Sequence, residues 1–552
     1  MSVKNSTNTE KNDTEITYEL YKKLNEVCHE IMKTDILRML TAGMMCNYGL
    51  MVNLPNECLY KFKNEHKRLI KTKLYLCDKK EIELIANSIY GGRSLPRIHH
   101  FRSVDVGISY KHIIDYLVIF DISGMYVYIM RVHEFPYDKA RYATKQELER
   151  FNALIKDKKY DELQQILPAF YICDADCQPN EYDLEPSIAR HEGKRLIWDC
   201  ARRTGSYNSI DIKILLRNRG HLYEIKRMLI WGKSCKIFEK WMNITLELKN
   251  KGEVEKKPAI RRFAKLSGNG VFGGTLKKDH DNTVQFINSI DDKNKFIEEN
   301  ELDEIIINDE DIEDAYHVFI GKKKSDETKD LTSRSRFLGS FVLSYSRMML
   351  DDIINCIYGE DRFSEKGINK QVYMGDTDSI VIHQSLAHKL VDAGFVGNEN
   401  GKLVDDLNKD FLTKGYAKIT KLCAPASKRY CMQYVMPDET IKEKCKMLGI
   451  SQNNMNFNNP FSDSCESQKI TYDIFESMYL NAFDAFDCKF TLNDKLKKIN
   501  YKRTKEEKLN KKPMFSIHSS TLERTLFATE YTARACYKWP CTVPLNSVYA
   551  KV

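Results

Sequence analysis

The sequence predicts an α+β chain, and three observations carry that prediction. The β-branched and aromatic run YLVIFDISGMYVYIM at 116–130 opens as a buried strand. KQVYMGDTDSIVI at 370–382 reads as strand, tight turn, strand. Long segments of helical period stand beside them, at 16–50, 240–273 and 336–356.

Taken in order, residues 1–14 read as a flexible or truncated lead. Tyr18, Leu20, Tyr21, Leu24, Val27 and Ile31 then recur at helical spacing, which predicts a helix over 16–50. A polar stretch follows, then a second helix near 79–86, broken by Gly91-Gly92. In the 116–130 run Asp121 lies at the end of the strand, and Ser123-Gly124 turns the chain. Residues 131–240 are mixed in character. A long helix is expected over 240–273, with a break near Gly252 and Pro258. The stretch 291–314 is strongly acidic, the mark of a solvated surface insertion. Residues 336–356 predict an amphipathic helix, and 495–512 a basic, solvated loop or linker.

The chain has 552 residues, room for roughly three or four domains. Its hydrophobic content is 42%, its charged content 30% and its net charge +8. Such a mildly basic balance fits a groove for a polyanion, and fits a basic enzyme without nucleic acid equally well. No apolar run approaches the ~20 residues that span a membrane. The N-terminus lacks the apolar core of a secretory signal, so a soluble, intracellular protein is expected. None of the 16 cysteines forms a Cys-x-x-Cys pair; Cys173 and Cys177 come closest. They read as reduced thiols rather than zinc ligands.

The chemistry starts at Gly375-Asp376-Thr377-Asp378-Ser379. Two carboxylates at a hairpin tip repel each other and raise each other's pKa unless a cation lies between them. Magnesium, a hard ion that takes carboxylate and phosphate oxygens, is the usual answer. Alone, an acidic turn is a common surface feature. Asp121 changes the reading, because an Asp from one strand and an Asp from a neighbouring hairpin can hold two metals ~3.5–4 Å apart. Ile122, next in the chain, has only its backbone carbonyl to offer. That arrangement suits in-line phosphoryl transfer, where catalysis is positioning and charge neutralisation.

Positive charge comes from RRFAKLSGNGVFGG at 261–274. Arg261, Lys265 and Asn269 are four apart on one helix face, where they could grip a triphosphate, and Phe272 could stack on a base or sugar. A solvated basic helix reads the same. Gly268, Gly270, Gly273 and Gly274 count against that reading, since glycines cost helix stability and make sense where a nucleotide approaches the backbone closely.

In this order the three elements resemble motifs A, B and C of the family B DNA polymerases. FDISGMY at 120–126 is similar to motif A, KLSGNGVFG at 265–273 to motif B, and YMGDTDS at 373–379 to motif C. Motif C is the most specific. The GMY of motif A, Tyr90-Gly91-Gly92 upstream and the long spacers resemble the protein-primed branch, which includes adenovirus-type and phage polymerases and enzymes of linear plasmids and large virus-like transposons. The resemblance implies a right hand with an antiparallel palm sheet, helical fingers and a C-terminal thumb. It divides the chain into the end of an exonuclease domain (1–89), palm with a first insertion (90–240), fingers (241–274), an acidic insertion (275–335), palm (336–434) and thumb (435–552). One insertion would serve the priming protein and the other processivity.

Carried over by residue, the resemblance makes Asp121 and Asp378 metal ligands and Asp376 the other acid of motif C. It implies two magnesium ions, with manganese as the alternative. Tyr126 looks like the tyrosine that packs under the sugar and excludes a 2′-hydroxyl. Lys265 and Asn269 look like nucleotide contacts, with Lys249 as a second lysine. Tyr90, Gly91 and Gly92 resemble an element that contacts template DNA. Lys428-Arg429-Tyr430 resembles the Lys-x-Tyr motif near the primer terminus, and LERTLFATEY with Trp539-Pro540 the thumb. The implied partners are template and primer DNA, deoxynucleoside triphosphates, a terminal priming protein and a separate exonuclease chain, with no membrane.

Two departures stand out. Gly270 and Phe272 replace the usual Ser and Tyr of motif B. No Asp-x-Glu in a context suited to an exonuclease precedes Tyr90, although Asp13 resembles a remnant of its last motif, so no proofreading is expected from this chain alone. Two rivals remain. One is a degenerate DNA-binding scaffold. The other is a reverse transcriptase or RNA polymerase, which usually carries two adjacent aspartates where Thr377 intervenes here.

Overall fold

The central strand β3 (Leu117–Ile122) explains the rest, because both of its faces are buried. The computed structural model describes residues 42–276 and 335–447 almost throughout, and shorter stretches elsewhere. Side chains alternate along a strand. Val118, Phe120 and Ile122 therefore enter the main core, while Leu117 and Ile119 enter a second cluster with Met374, Val381, Ile419, Leu422 and Met432. A continuous apolar run is what two covered faces require.

Around β3 lies a nine-stranded antiparallel sheet. Its other strands are β1 (Ser94–Pro96), β2 (His100–Arg102), β4 (Val372–Asp376), β5 (Ser379–His383), β6 (Leu403–Asp405), β7 (Lys418–Ala426), β8 (Arg429–Val435) and β9 (Ile441–Met447). The order is β9-β8-β7-β3-β5-β4-β1, with β6 on β3 and β2 on β7. β7 meets β3 at a single pair, Ile419 with Leu117, so the sheet opens there and doubles back. Strands β7 and β8 then pack their apolar side chains onto the face bearing Leu117, Ile119 and Met374. The sheet continues through β9, inside the span that the sequence assigned to the thumb.

The helices cover the other face. They are α1 (Ala42–Val52), α2 (Lys79–Asn87), α3 (Met125–Val132), α4 (Glu239–Val254), α5 (Pro258–Leu276) and α6 (Arg336–Tyr358). The expected break in the long basic helix falls between α4 and α5, with Pro258 at the first position of α5, where its missing N–H costs nothing. α6 is not amphipathic. It is buried nearly all round, because the region 131–240 builds a second sheet and packs its helix Ser209–Arg217 onto the polar side of α6. There Arg347 pairs with Asp211 at 2.7 Å, Asn208 donates to Ser344 at 2.6 Å, and Ser88 meets Ser340 at 2.9 Å. Arg362, fully buried, bridges Asp183 and Asp351 at 2.7 Å each.

Of three further findings, the first adds to an expectation and the other two each change one. The acidic insertion contains a three-stranded antiparallel sheet, Asn282–Ile287, Asn300–Ile306 and His317–Lys323. The loop expected from 495 onward begins inside the strand Lys489–Asn500, which pairs with Ser516–Thr525. Cys431 and Cys445 face each other across β8 and β9 and form a disulfide, where thiols were expected throughout. Strand register brings them together, and sequence spacing does not reveal register. Asp13, most of the helix expected over 16–50, and Trp539-Pro540 lie outside the described residues. Among the described residues no helix is long and apolar enough to cross a membrane.

Candidate active site

Register assembles the carboxylates. Ser379 on β5 pairs with Asp121 on β3, and Val404 on β6 pairs with Asp121 from the other side. The hairpin between β4 and β5 therefore delivers Asp376 and Asp378 to the end of β3. The backbone N–H of Ile122 donates to the Asp378 carbonyl at 2.8 Å and fixes that neighbourhood.

Burial comes first in the electrostatics. Burial, and then the charges of Asp378 and Asp406, push the Asp121 carboxyl up to about 7; Lys444 and Lys265 oppose them. Burial also raises Asp378, and the charge of Asp376 adds to it. Asp376 is handled differently, since Lys446 Nζ lies 2.6 Å from its Oδ2 and Lys428 Nζ 3.8 Å from its Oδ1. Tyr430 is buried in the same place, and the charges of Asp376, Asp406, Asp121 and Asp378 add to burial in raising its phenol.

A divalent cation fits this donor set, because two half-buried carboxyls, each raised by burial and by a neighbouring carboxylate, are relieved by a cation between them. Among the described residues no three His, Cys, Asp or Glu side chains cluster closely enough to hold an ion by themselves. Asp121 and Asp378 would therefore need the Ile122 carbonyl and oxygens from a ligand.

The residues expected to bind a nucleotide fall into place unequally. Tyr126, in the first turn of α3, stacks on Phe272 of α5 with ring centroids 4.2 Å apart and 13° between planes. Lys265 and Asn269 are exposed on α5, and Lys265 is close enough to affect Asp121. Arg261, on the same face, pairs with Glu253 at 2.8 Å. Lys249 is half-buried on α4.

The helix glycines serve packing more than nucleotide access. A Cβ on Gly270 would lie 2.4 Å from Cys46 Sγ, and one on Gly274 would lie 2.5 Å from Asn47 Oδ1. Both let α5 cross α1 at close range. Gly273 alone of the four has open space beside it.

Tyr90 is also placed differently from expectation. Its ring is buried between Tyr207 and His191, with centroids at 5.3 and 4.7 Å, which leaves no ring face for DNA. Gly92 instead supports the aspartate turn, where a Cβ would come within 2.4 Å of the Thr377 side chain.

Sequence reasoning missed Asp405, Asp406, Lys444 and Lys446. Asp405 accepts backbone N–H groups of Leu407, Asn408 and Ala417, and burial still pushes it up to about 6. Asp406 pairs with Lys444. The adjacent acids at 405–406 were a visible signal, whereas the two lysines had none.

The site is thus an aspartate at a strand end beside an aspartate hairpin on an antiparallel sheet. The chain belongs to the organellar and viral type B DNA polymerases, whose family model matches residues 5–405. The DNA polymerase of bovine adenovirus 2 is 25% identical over 431 residues, covering 65% of this chain and 40% of that protein. That of human adenovirus C serotype 5 is 23% identical over 415 residues, covering 60% of this chain and 33% of that one. The chain thus spans well under half the length of these relatives. Phi29 DNA polymerase, in an orthorhombic crystal form, aligns over 75% of this chain and 61% of its own, with a TM-score of 0.49 and 13% identity.

Proposed function

We propose that this chain carries the polymerising part of a DNA polymerase, which adds deoxynucleotides to a primer 3′-hydroxyl on a DNA template. The supporting observation is the convergence of Asp121, at the end of β3, and Asp378, in the hairpin turn beside it, both half-buried and both raised by burial and by neighbouring carboxylates. Asp121, Asp378 and the Ile122 carbonyl would hold magnesium, or manganese in its place, and the ions would activate the 3′-hydroxyl and neutralise the triphosphate.

The chain's own residues divide the remaining work. The stacked rings of Tyr126 and Phe272 offer a flat floor for the incoming sugar. Lys265 and Asn269 supply a polar, exposed face for the triphosphate, with Arg261 and Lys249 nearby on α5 and α4. Lys428 meets the primer terminus beside the carboxylates, Tyr430 is buried under the site and supports it, and Gly91 and Gly92 offer backbone to the template. In a right hand, the antiparallel sheet is the palm, α4 and α5 are the fingers, and the thumb follows the sheet. The setting we infer is protein-primed replication of a viral or mobile linear DNA, with a terminal protein as primer and a separate exonuclease chain for proofreading.

Primer extension on a DNA template with magnesium and four deoxynucleotides tests the reading. Template-directed extension that disappears with Asp121→Ala or Asp378→Ala, while DNA binding persists, is the expected result. Extension retained in either variant would refute the site.

A further inference from the structure

Asp376 differs from the other two motif aspartates in its surroundings. The residue is 5% exposed, and Oδ1 has no hydrogen-bond partner among the described residues. Oδ2 accepts from Lys446 at 2.6 Å. Lys428 stands farther off, at 3.8 Å, and itself sits at a φ of 57°. A buried carboxylate that loses its counterion is left as an uncompensated charge.

Asp376 also opens a strained turn. Thr377 takes a φ of 70°, in the left-handed region that a β-branched residue seldom enters. Such a conformation persists only where its surroundings over-determine it. Three backbone contacts do so: Thr377 N–H to the Arg93 carbonyl at 2.8 Å, Asp378 N–H to the Asp376 carbonyl at 2.9 Å, and Ile122 N–H to the Asp378 carbonyl at 2.8 Å. The closest side-chain pin is Lys446, which arrives from β9, directly opposite Tyr430 on β8.

We propose that Lys446 is a positioning residue, whose ammonium clamps Asp376 and so holds the Asp376-Thr377-Asp378 turn in the shape that presents Asp378 to the reaction. The inference rests on the polymerase reading. The clamp also occupies Asp376 with a lysine, which leaves Asp121 and Asp378 as the pair open to a cation.

The test compares wild type, Lys446→Met, Lys446→Arg, Asp376→Asn and the Lys446→Met/Asp376→Asn double variant. Primer extension is measured alongside primer–template binding by fluorescence anisotropy across a salt series. Lys446→Met is expected to lower kcat about tenfold with KM for the nucleotide changed by less than about twofold, and Lys446→Arg to recover most of the loss. The double variant is expected to be no slower than the slower single, because both act through one contact. Affinity for DNA and its salt slope stay as in wild type. Full activity in Lys446→Met, or losses that multiply in the double variant, would overturn the proposal. So would a salt slope reduced by about one, which would make Lys446 a phosphate contact. Melting curves check folding, and Lys446→Gln carries the comparison if the Met variant does not fold. A wild-type chain that binds DNA but never extends it would defeat the polymerase reading instead.

Discussion

The ring of Tyr126 lies flat on the ring of Phe272, 4.2 Å away and 13° from parallel, and the stack joins the strand-end motif to the basic helix. Burial pushes the Tyr126 phenol up to about 12, so it stays protonated at neutral pH. If this stack is the floor under the sugar, shortening Tyr126 opens space where a 2′-hydroxyl would sit. Tyr126→Val is expected to reduce discrimination against ribonucleotides by on the order of 100-fold. Single-nucleotide incorporation with matched dNTP and rNTP measures it, and unchanged discrimination would remove the steric role.

The raised carboxyl of Asp121 gives the site a pH signature. Its pKa rises from the ordinary 3.8 to about 7 in the folded chain, so the native state holds a proton that the unfolded state releases. Stability from this group is therefore present at low pH and is lost as pH rises through about 7. Without divalent metal, Asp121→Asn is expected to melt above wild type at pH 8 and by a smaller margin at pH 5. Melting curves at the two values decide, and an equal gap at both would contradict the assignment.

The crossing of α1 and α5 predicts a reversal of sign. Replacing a helix glycine with alanine gains about 1 kcal/mol of propensity. At Gly270 the new methyl would meet Cys46 Sγ at 2.4 Å, and overpacking of this kind costs about 1–3 kcal/mol. Gly270→Ala should therefore destabilise the native chain, and should stabilise it once Cys46→Ala has cleared the space. Urea unfolding of the four variants gives the coupling directly.

Arg362 ties the region 131–240 to α6. Its guanidinium is fully buried between Asp183 and Asp351, and Arg217 also pairs with Asp351. Arg362→Met removes the compensating charge and is expected to cost about 3–5 kcal/mol. Glu253→Gln, which breaks the half-exposed pair with Arg261, should cost at most about 1 kcal/mol. Chemical denaturation of the two variants ranks them.

Much of the site was legible because its signals are local. LVIFDI is apolar on both faces because β3 is covered on both faces, and Gly375 to Ser379 makes its turn within five residues. The break before Pro258 is likewise written in one residue. What could not be read depends on contacts distant in sequence. The polar residues along α6 suggested a wet face, but their partners Asp211 and Asn208 lie more than 130 positions away. The glycines of α5 suggested room for a nucleotide, but Cys46 and Asn47 fill most of that room. Lys446 reaches Asp376 across 70 residues because the sheet doubles back, and strand register sets that fold.

That doubling back means the site can be changed from outside its own signature. Lys444 and Lys446 belong to an edge strand, remote from all three motifs, yet they neutralise Asp406 and Asp376. On the proposed polymerase reading, a lineage could thus retune or silence the site by mutating one peripheral strand while every diagnostic residue stayed in place, and a survey of motifs would still count it as intact.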